Sequence, residues 1–158
     1  MADPIADFFA NYPEFSYRPS RDWTHYQVFQ ALHYHLRWSQ ADRALALGKL
    51  HQAWATVAKQ EFPGDTYEHY RTILEQLGFD EIPNSVEGCQ AELRQVNVNI
   101  VDLIQYRKDK RAGLNPPRPQ LFTTVHELRD YSRKNGKSFP VVGAKAAVLG
   151  ILLREDQT

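Results

Sequence analysis

The chain has 158 residues, with 19 basic and 19 acidic side chains and a formal net charge of zero, so no overall field draws it to nucleic acid or to a membrane surface. Its apolar fraction of 42% and charged fraction of 24% are typical of one globular domain with a sizeable core. No apolar segment reaches the length of about 20 residues that crosses a bilayer, and the acidic N-terminus lacks the basic and apolar regions of a secretory signal. We therefore expect a protein of the cytoplasm or nucleus.

The N-terminal residues predict a short helix followed by an extended arm. Asp3 is a suitable N-cap and Pro4 is favoured at the first helical position, while Pro13 limits the helix at its other end. Residues 12–20 hold two prolines and three aromatic side chains. Because so much aromatic surface is unfavourable in water, we expect residues 1–20 to form a helix and an arm that lies on the body.

Four further helices are predicted from apolar residues at three- and four-residue steps. Ser20 can cap the first of them, Ser39 or Asp42 the second, and Ser85 the fourth. The third is expected to end at Gly78, in the C′ position. The four predicted helices cover residues 21–37, about 40–61, 66–77, and a segment carrying Val86, Cys89 and Leu93.

The segment after residue 95 permits two interpretations. Asn97 or Asn99 can cap a helix that runs to Arg111, with a block of cations at its negative C-terminal end. A short strand is the alternative, because β-branched residues alternate with asparagines over residues 96–100. We favour the helix because the apolar residues continue a helical pattern beyond any plausible strand end.

The last third of the chain predicts a loop and two helices. Residues 112–123 are proline-rich and favour an extended path. Thr124 and Glu127 have the spacing of a capping box, and the helix they begin is expected to stop near Gly136. Small residues over 141–154 favour a closely packed final helix, and residues 155–158 form a tail. The predicted fold is therefore all-α, a compact single-domain bundle of seven or eight helices over residues 1–158.

Two sequence patterns resemble a known group of proteins. The first is Phe9-x-x-Tyr12-Pro13-x-Phe15-x-Tyr17 in the arm, and the second is Val98-Asn99-x-x-Asp102-Leu103. Together with Cys89 and the residues from Phe122 to Arg154, they resemble a family of small fungal proteins of unknown function. The resemblance implies a single helical domain and brings no catalytic or ligand residues with it.

No catalytic, metal or cofactor site is predicted. His33 and His35 lie two positions apart, so on a helix they point about 200° from each other and cannot share an ion. Cys89 is the only cysteine, which excludes an intramolecular disulfide and a cysteine-based zinc site. It shares a helical face with Val86 and Leu93, so we interpret it as a buried structural thiol. The chain is therefore expected not to be an enzyme.

A polar group within the segment 97–106 is predicted to lock the fold. Asp102 lies among apolar residues, and a partly buried carboxylate requires a partner. We expect it to bind an Arg, a Lys or backbone amides of a neighbouring segment, with Asn97 and Asn99 in the same structural polar latch. The alternative is a ligand pocket formed by Asp102 and the asparagines.

The remaining candidate site is a basic surface over residues 107–145. Residues 104–145 carry ten cations against three acidic residues, whereas the first 79 residues carry seven against nine. Two functions follow: a protein-interaction module, for which self-association is one mode, and alternatively a nucleic-acid-binding protein that uses charge and aromatic stacking. Neither requires a membrane. The predicted binding residues are Arg107, Lys108, Lys110, Arg111, Arg133, Lys134 and Lys137.

Overall fold

Eight α-helices form the part of the chain that the computed structural model describes, residues 3–15, 24–139 and 147–152, and these ranges contain no β-sheet. The predicted all-α fold is confirmed. The helices are α1 (Pro4–Ala10), α2 (His25–Leu36), α3 (Gln40–Glu61), α4 (Tyr67–Gln76), α5 (Val86–Arg94), α6 (Ile100–Arg111), α7 (Val125–Lys134) and α8 (Ala147–Leu152).

Side-chain caps begin most of these helices, because the first backbone N–H groups of a helix have no partner within it. The carboxylate of Asp3 accepts hydrogen bonds from the backbone N–H groups of Ile5 and Ala6, both at 3.1 Å. Five other caps each accept a bond from the backbone N–H three residues on. The predicted caps that the structure confirms are Asp3, Ser39, Ser85, Asn99 and Thr124.

The predicted start of α2 at residue 21 is wrong. The helix begins at His25, because Thr24 and Gln27 form a complete capping box: Gln27 N donates to Thr24 Oγ1 at 3.2 Å, and Thr24 N donates to Gln27 Oε1 at 2.9 Å. These two bonds satisfy donors that would otherwise be left free at the helix start. The predicted cap Ser20 lies outside the described residues.

Aromatic side chains of α1 and of the arm that follows it lie on the body of the protein. The Phe8 and Phe9 rings are 4.9 Å apart, edge to face, and both are buried. Tyr12 packs against Trp38 in an edge-to-face arrangement, with 5.3 Å between ring centroids. Phe15 N donates to Tyr12 O at 3.0 Å, which closes a turn at this point of the arm. Residues 16–20 of the arm lie outside the described ranges.

Buried apolar side chains form one cluster that includes residues of α1 to α6 and of α8. Helix α1 packs on α3, α4 on α5, α5 on α8, and α3 on α6. Leu152 of α8 is fully buried. The predicted final helix was longer, but residues 140–146 and 153–158 lie outside the described part of the chain.

The start of α6 follows the favoured helical interpretation. Asn99 caps the helix, whose first residue is Ile100. The strand alternative is reduced to one antiparallel bridge between Val98 and Leu121, beside a 2.8 Å hydrogen bond from Phe122 N to Asn97 O. The proline-rich segment 112–123 therefore returns to the start of α6. Within the described ranges, no helix combines the length and the apolar character needed to cross a membrane.

Candidate functional site

Two cations of the predicted basic surface bind a carboxylate inside the fold. Glu61 is the last residue of α3, and its side chain is only 1% exposed. Arg111 donates to Glu61 Oε2 at 2.6 Å and also contacts Oε1, so the pair is bidentate. Arg107 Nε lies 3.5 Å from Glu61 Oε2. Such guanidinium–carboxylate pairs combine charge with fixed geometry.

Arg107 makes further contacts that join three helices. Its guanidinium donates to Glu61 O at 2.9 Å and to Gln76 Oε1 at 2.6 Å, and its Cζ atom lies 5.0 Å from the centroid of the Phe62 ring. Burial lowers the pKa of Arg107, while Glu61 acts in the opposite direction. Arg107 and Arg111, both predicted as binding residues, thus lie in a polar cluster between α3, α4 and α6.

The third engaged cation is Lys137, which pairs with Asp102. Lys137 Nζ lies 2.9 Å from Asp102 Oδ1 and donates to the Tyr131 hydroxyl at 3.1 Å. That hydroxyl in turn donates to Asp102 Oδ2 at 2.5 Å. Asp102 thus has a partner of one of the kinds predicted for it, a Lys of a neighbouring segment.

The surroundings favour the protonated forms of Tyr131 and Lys137 in this triad. Burial and the neighbouring Asp102 raise the pKa of Tyr131. Burial acts to lower the pKa of Lys137, but its hydrogen bonds with Asp102 and Tyr131 outweigh that effect and the pKa is raised. At neutral pH Tyr131 is therefore a phenol and Lys137 an ammonium, and both contact the side chain of Asp102. Both carboxylate oxygens of Asp102 thus have a partner within the fold.

The two asparagines complete the predicted latch. Asn99 is 1% exposed; its Oδ1 accepts from Asp102 N at 3.0 Å, and its Nδ2 donates to Ser132 Oγ and to Lys137 O, both at 2.9 Å. Asn97 Nδ2 donates to Phe122 O at 3.2 Å. These bonds join the start of α6 to α7 and to the end of the proline-rich loop.

The other four predicted binding cations lie outside these two clusters. Lys108 is half-buried, whereas Lys110, Arg133 and Lys134 are exposed. None of the four is seen in an ion pair with a carboxylate of the described residues. Residues 140–145 of the predicted basic surface lie outside the described ranges.

The histidines form no metal site in the described ranges, and Cys89 is not placed as an activated thiol. No group of three or more His, Cys, Asp and Glu side chains lies close enough there to hold an ion. The His33 ring packs near Trp38, and that of His35 near Phe15. Cys89 is fully buried, and burial raises the pKa of its thiol. The nucleophilic thiolate is thereby disfavoured.

An open polar groove between α2 and α3 was not predicted. We call it the α2–α3 groove; its volume is about 440 Å³, and its lining residues are Gln30, His33, Tyr34, Gln40 and Arg43. Arg43 donates to Gln30 Oε1 at 3.5 Å, and its Cζ lies 5.5 Å from the centroid of the Phe29 ring. Gln30 Nε2 donates to the Tyr26 hydroxyl at 2.9 Å.

Three local features at or beside this groove distinguish it from an ordinary solvated face. Tyr34 is 77% exposed, and the His33 Nδ1 atom is buried without a hydrogen-bond partner in the described residues. Arg37, at the corner between the two helices, has a φ of 53°, a left-handed conformation that is costly for any residue with a Cβ. The spacing of residues along a single helix could not predict the groove, because side chains of both α2 and α3 line it.

No protein family, no characterised protein and no solved structure matches this chain. The resemblance to small fungal proteins therefore stays a prediction.

Proposed function

We propose that this chain is a non-enzymatic helical protein-interaction module of the cytoplasm or nucleus, and that it binds its partner through the α2–α3 groove. The observation that carries the proposal is Tyr34, a large aromatic side chain that is 77% exposed beside a groove of about 440 Å³. Tyrosine is enriched in binding surfaces because it provides a large contact area and a polar tip. Tyr26, 44% exposed and hydrogen-bonded to Gln30, extends this surface along α2.

The polar clusters support the non-enzymatic part of the proposal. Glu61 is paired with two arginines, and Asp102 is paired with Lys137 and Tyr131. Both carboxylates thus join segments of the fold and have their oxygens occupied. Groups of this kind stabilise a structure and are poor proton acceptors for a substrate.

A matched pair of variants tests this surface. Tyr34→Ser removes the exposed ring in the groove, whereas Leu114→Ser removes an exposed apolar side chain, 48% exposed, in the proline-rich loop. We expect chemical crosslinking in host lysate to give the same adducts for the wild type and Leu114→Ser, and to lose them for Tyr34→Ser. Equal adducts from all three proteins would contradict the proposed surface.

Sedimentation velocity distinguishes self-association through the same groove from the binding of a different protein. A sedimentation coefficient that rises with protein concentration in the wild type, and not in Tyr34→Ser, assigns the groove to a second copy of the chain. A constant coefficient at micromolar concentrations, together with no crosslinked adducts, would contradict the interaction module altogether.

Nucleic-acid binding through residues 107–145 is the alternative proposal. The observation that favours it is the exposure of Lys110, Arg133 and Lys134, but Arg107, Arg111 and Lys137 pair with carboxylates. We expect an oligo-dT strand to bind weakly, with a salt dependence that reflects few phosphate contacts. Fluorescence anisotropy of a labelled strand at low salt measures this, and the absence of binding there would contradict the alternative.

A further inference from the structure

We infer that the α2–α3 groove binds a carboxylate side chain of an acidic segment in the partner protein, and that Arg43 makes the ion pair. This inference rests on the function proposed above and names the chemistry of the partner. It follows from the donors that Arg43 leaves available, from the charge of the lining, and from the number of cations in the groove.

Arg43 is positioned but has hydrogen-bonding capacity to spare. Its guanidinium lies over the Phe29 ring, with Cζ 5.5 Å from the centroid. A guanidinium carries five N–H donors, and among the described residues its one hydrogen bond is the contact to Gln30 Oε1, at 3.5 Å. Most donors therefore remain for a ligand. A carboxylate fits this fork because it accepts two parallel hydrogen bonds.

The lining of the groove suits an anionic group. None of the five lining side chains is acidic, and Asp42, the neighbour of Arg43 along α3, does not line the groove. Gln30 and Gln40 also carry amide N–H donors in this lining, one of which Gln30 donates to the Tyr26 hydroxyl. An incoming carboxylate therefore meets a cation and neutral dipoles without a like charge in the lining, and the half-buried position of Arg43 strengthens the pair relative to one in bulk water.

The number of cations in the groove favours a protein carboxylate over a nucleic-acid backbone as the ligand. Proteins that bind nucleic acid gain most of their affinity by neutralising several phosphates along the strand. The groove contains one arginine, and its other lining residues are two glutamines, a tyrosine and a histidine. One guanidinium with neutral donors around it matches a single acidic side chain, with the Tyr34 ring against the adjoining peptide.

Backbone amide NMR shifts of the full chain, labelled with ¹⁵N, test the inference. The probe is a blocked peptide of alternating Glu and Gly, and its matched control has Gln in place of Glu. We expect the Glu peptide to shift the amides of residues 30–34 and 40–43 in a saturable way, and the Gln peptide to bind at least tenfold more weakly. Arg43→Gln should weaken the Glu peptide at least tenfold, and Arg43→Lys less, because an ammonium keeps the charge but loses the bidentate geometry.

Lys49→Gln is the control variant, because Lys49 is exposed on the same helix and its loss changes net charge equally. Equal binding of the two peptides, or equal weakening by Arg43→Gln and Lys49→Gln, would overturn the inference. Shifts of the same residues by oligo-dT but not by the Glu peptide would also overturn it and assign the groove to phosphate. If Tyr34→Ser abolishes crosslinking while the Glu peptide fails to bind, the carboxylate is wrong and the interaction surface stands.

Discussion

Replacing Glu61 by Gln should destabilise the protein more than any surface change of charge. Gln has nearly the same shape and can still accept hydrogen bonds, so the variant removes the negative charge and little else. In the native protein this carboxylate is 1% exposed and faces two guanidinium groups. In the variant, Arg107 keeps two neutral acceptors, the backbone carbonyl at position 61 and Gln76 Oε1, but it has no anion beside it.

The magnitude follows from how deeply each cation is buried. Removing one partner of a buried ion pair costs about 3–5 kcal/mol, because the other charge stays buried and uncompensated. The Arg107 side chain is 15% exposed and bears nearly all of that cost, whereas the Arg111 side chain is 45% exposed and regains water. We therefore expect a loss near the lower limit, about 3 kcal/mol. For a chain of this size, that corresponds to a decrease in Tm of roughly 6–12 °C.

Urea unfolding followed by circular dichroism measures the change, with two variants for comparison. Arg111→Gln leaves Glu61 paired with Arg107 and should cost about 1 kcal/mol, whereas Glu68→Gln, in a pair whose side chains are 73% and 49% exposed, should cost about 0.5 kcal/mol or less. A double-mutant cycle of Glu61→Gln and Arg107→Gln should give a coupling of about 2 kcal/mol. A loss below about 1 kcal/mol for Glu61→Gln would refute the cluster as a stabilising element.

Three further predictions concern stability. Asp102→Ala leaves Tyr131 and Lys137 without their acceptor; because this triad is partly exposed, we expect a loss of about 2 kcal/mol, and an unchanged Tm would contradict the latch. Burial, aided by the charge of Lys108, lowers the pKa of His25 from 6.5 to about 4. The unfolded state therefore binds the proton more tightly than the folded state. The free energy of unfolding should have its full value above pH 6.5 and fall by up to about 3 kcal/mol as the pH decreases towards 4. Unfolding curves of His25→Gln that keep the same pH dependence would contradict this assignment. Arg37→Gly removes the Cβ from a left-handed position and should raise the free energy of unfolding by about 1 kcal/mol; a urea midpoint no higher than that of the wild type would argue against strain at this corner.

Local signals in the sequence predicted most helix starts correctly, because a cap acts over three residues. Ser85 and Thr124 each receive the backbone hydrogen bond that their position predicts. The exception, α2, shows the limit of the same reasoning. Ser20 and Thr24 are both competent caps, and the helix starts after Thr24 because Gln27 returns the second hydrogen bond. The sequence contained Thr24 and Gln27, but many other pairs have a similar spacing, so this pattern alone did not identify the start of the helix.

Charge was the property for which the sequence was least informative. The cations from Arg107 to Lys137 suggested one basic surface, but the fold pairs three of the seven predicted binding residues with Glu61 and Asp102. Glu61 was missed because it is 46 residues from Arg107 along the chain, and as the last residue of an amphipathic helix it resembles an ordinary solvated end. Long-range pairs of this kind depend on how helices pack, which local spacing does not encode.

The sequence by itself determined most of the helices and caps and the buried character of Cys89, because propensity, capping and periodicity are properties of neighbouring residues. Only the tertiary structure decided which charges remain on the surface and where a groove opens. Arg43 and His33 are separated by a turn and lie on different helices, and they share a groove because α2 and α3 meet at the Arg37 corner. The surface that we propose as the binding site is a product of that packing.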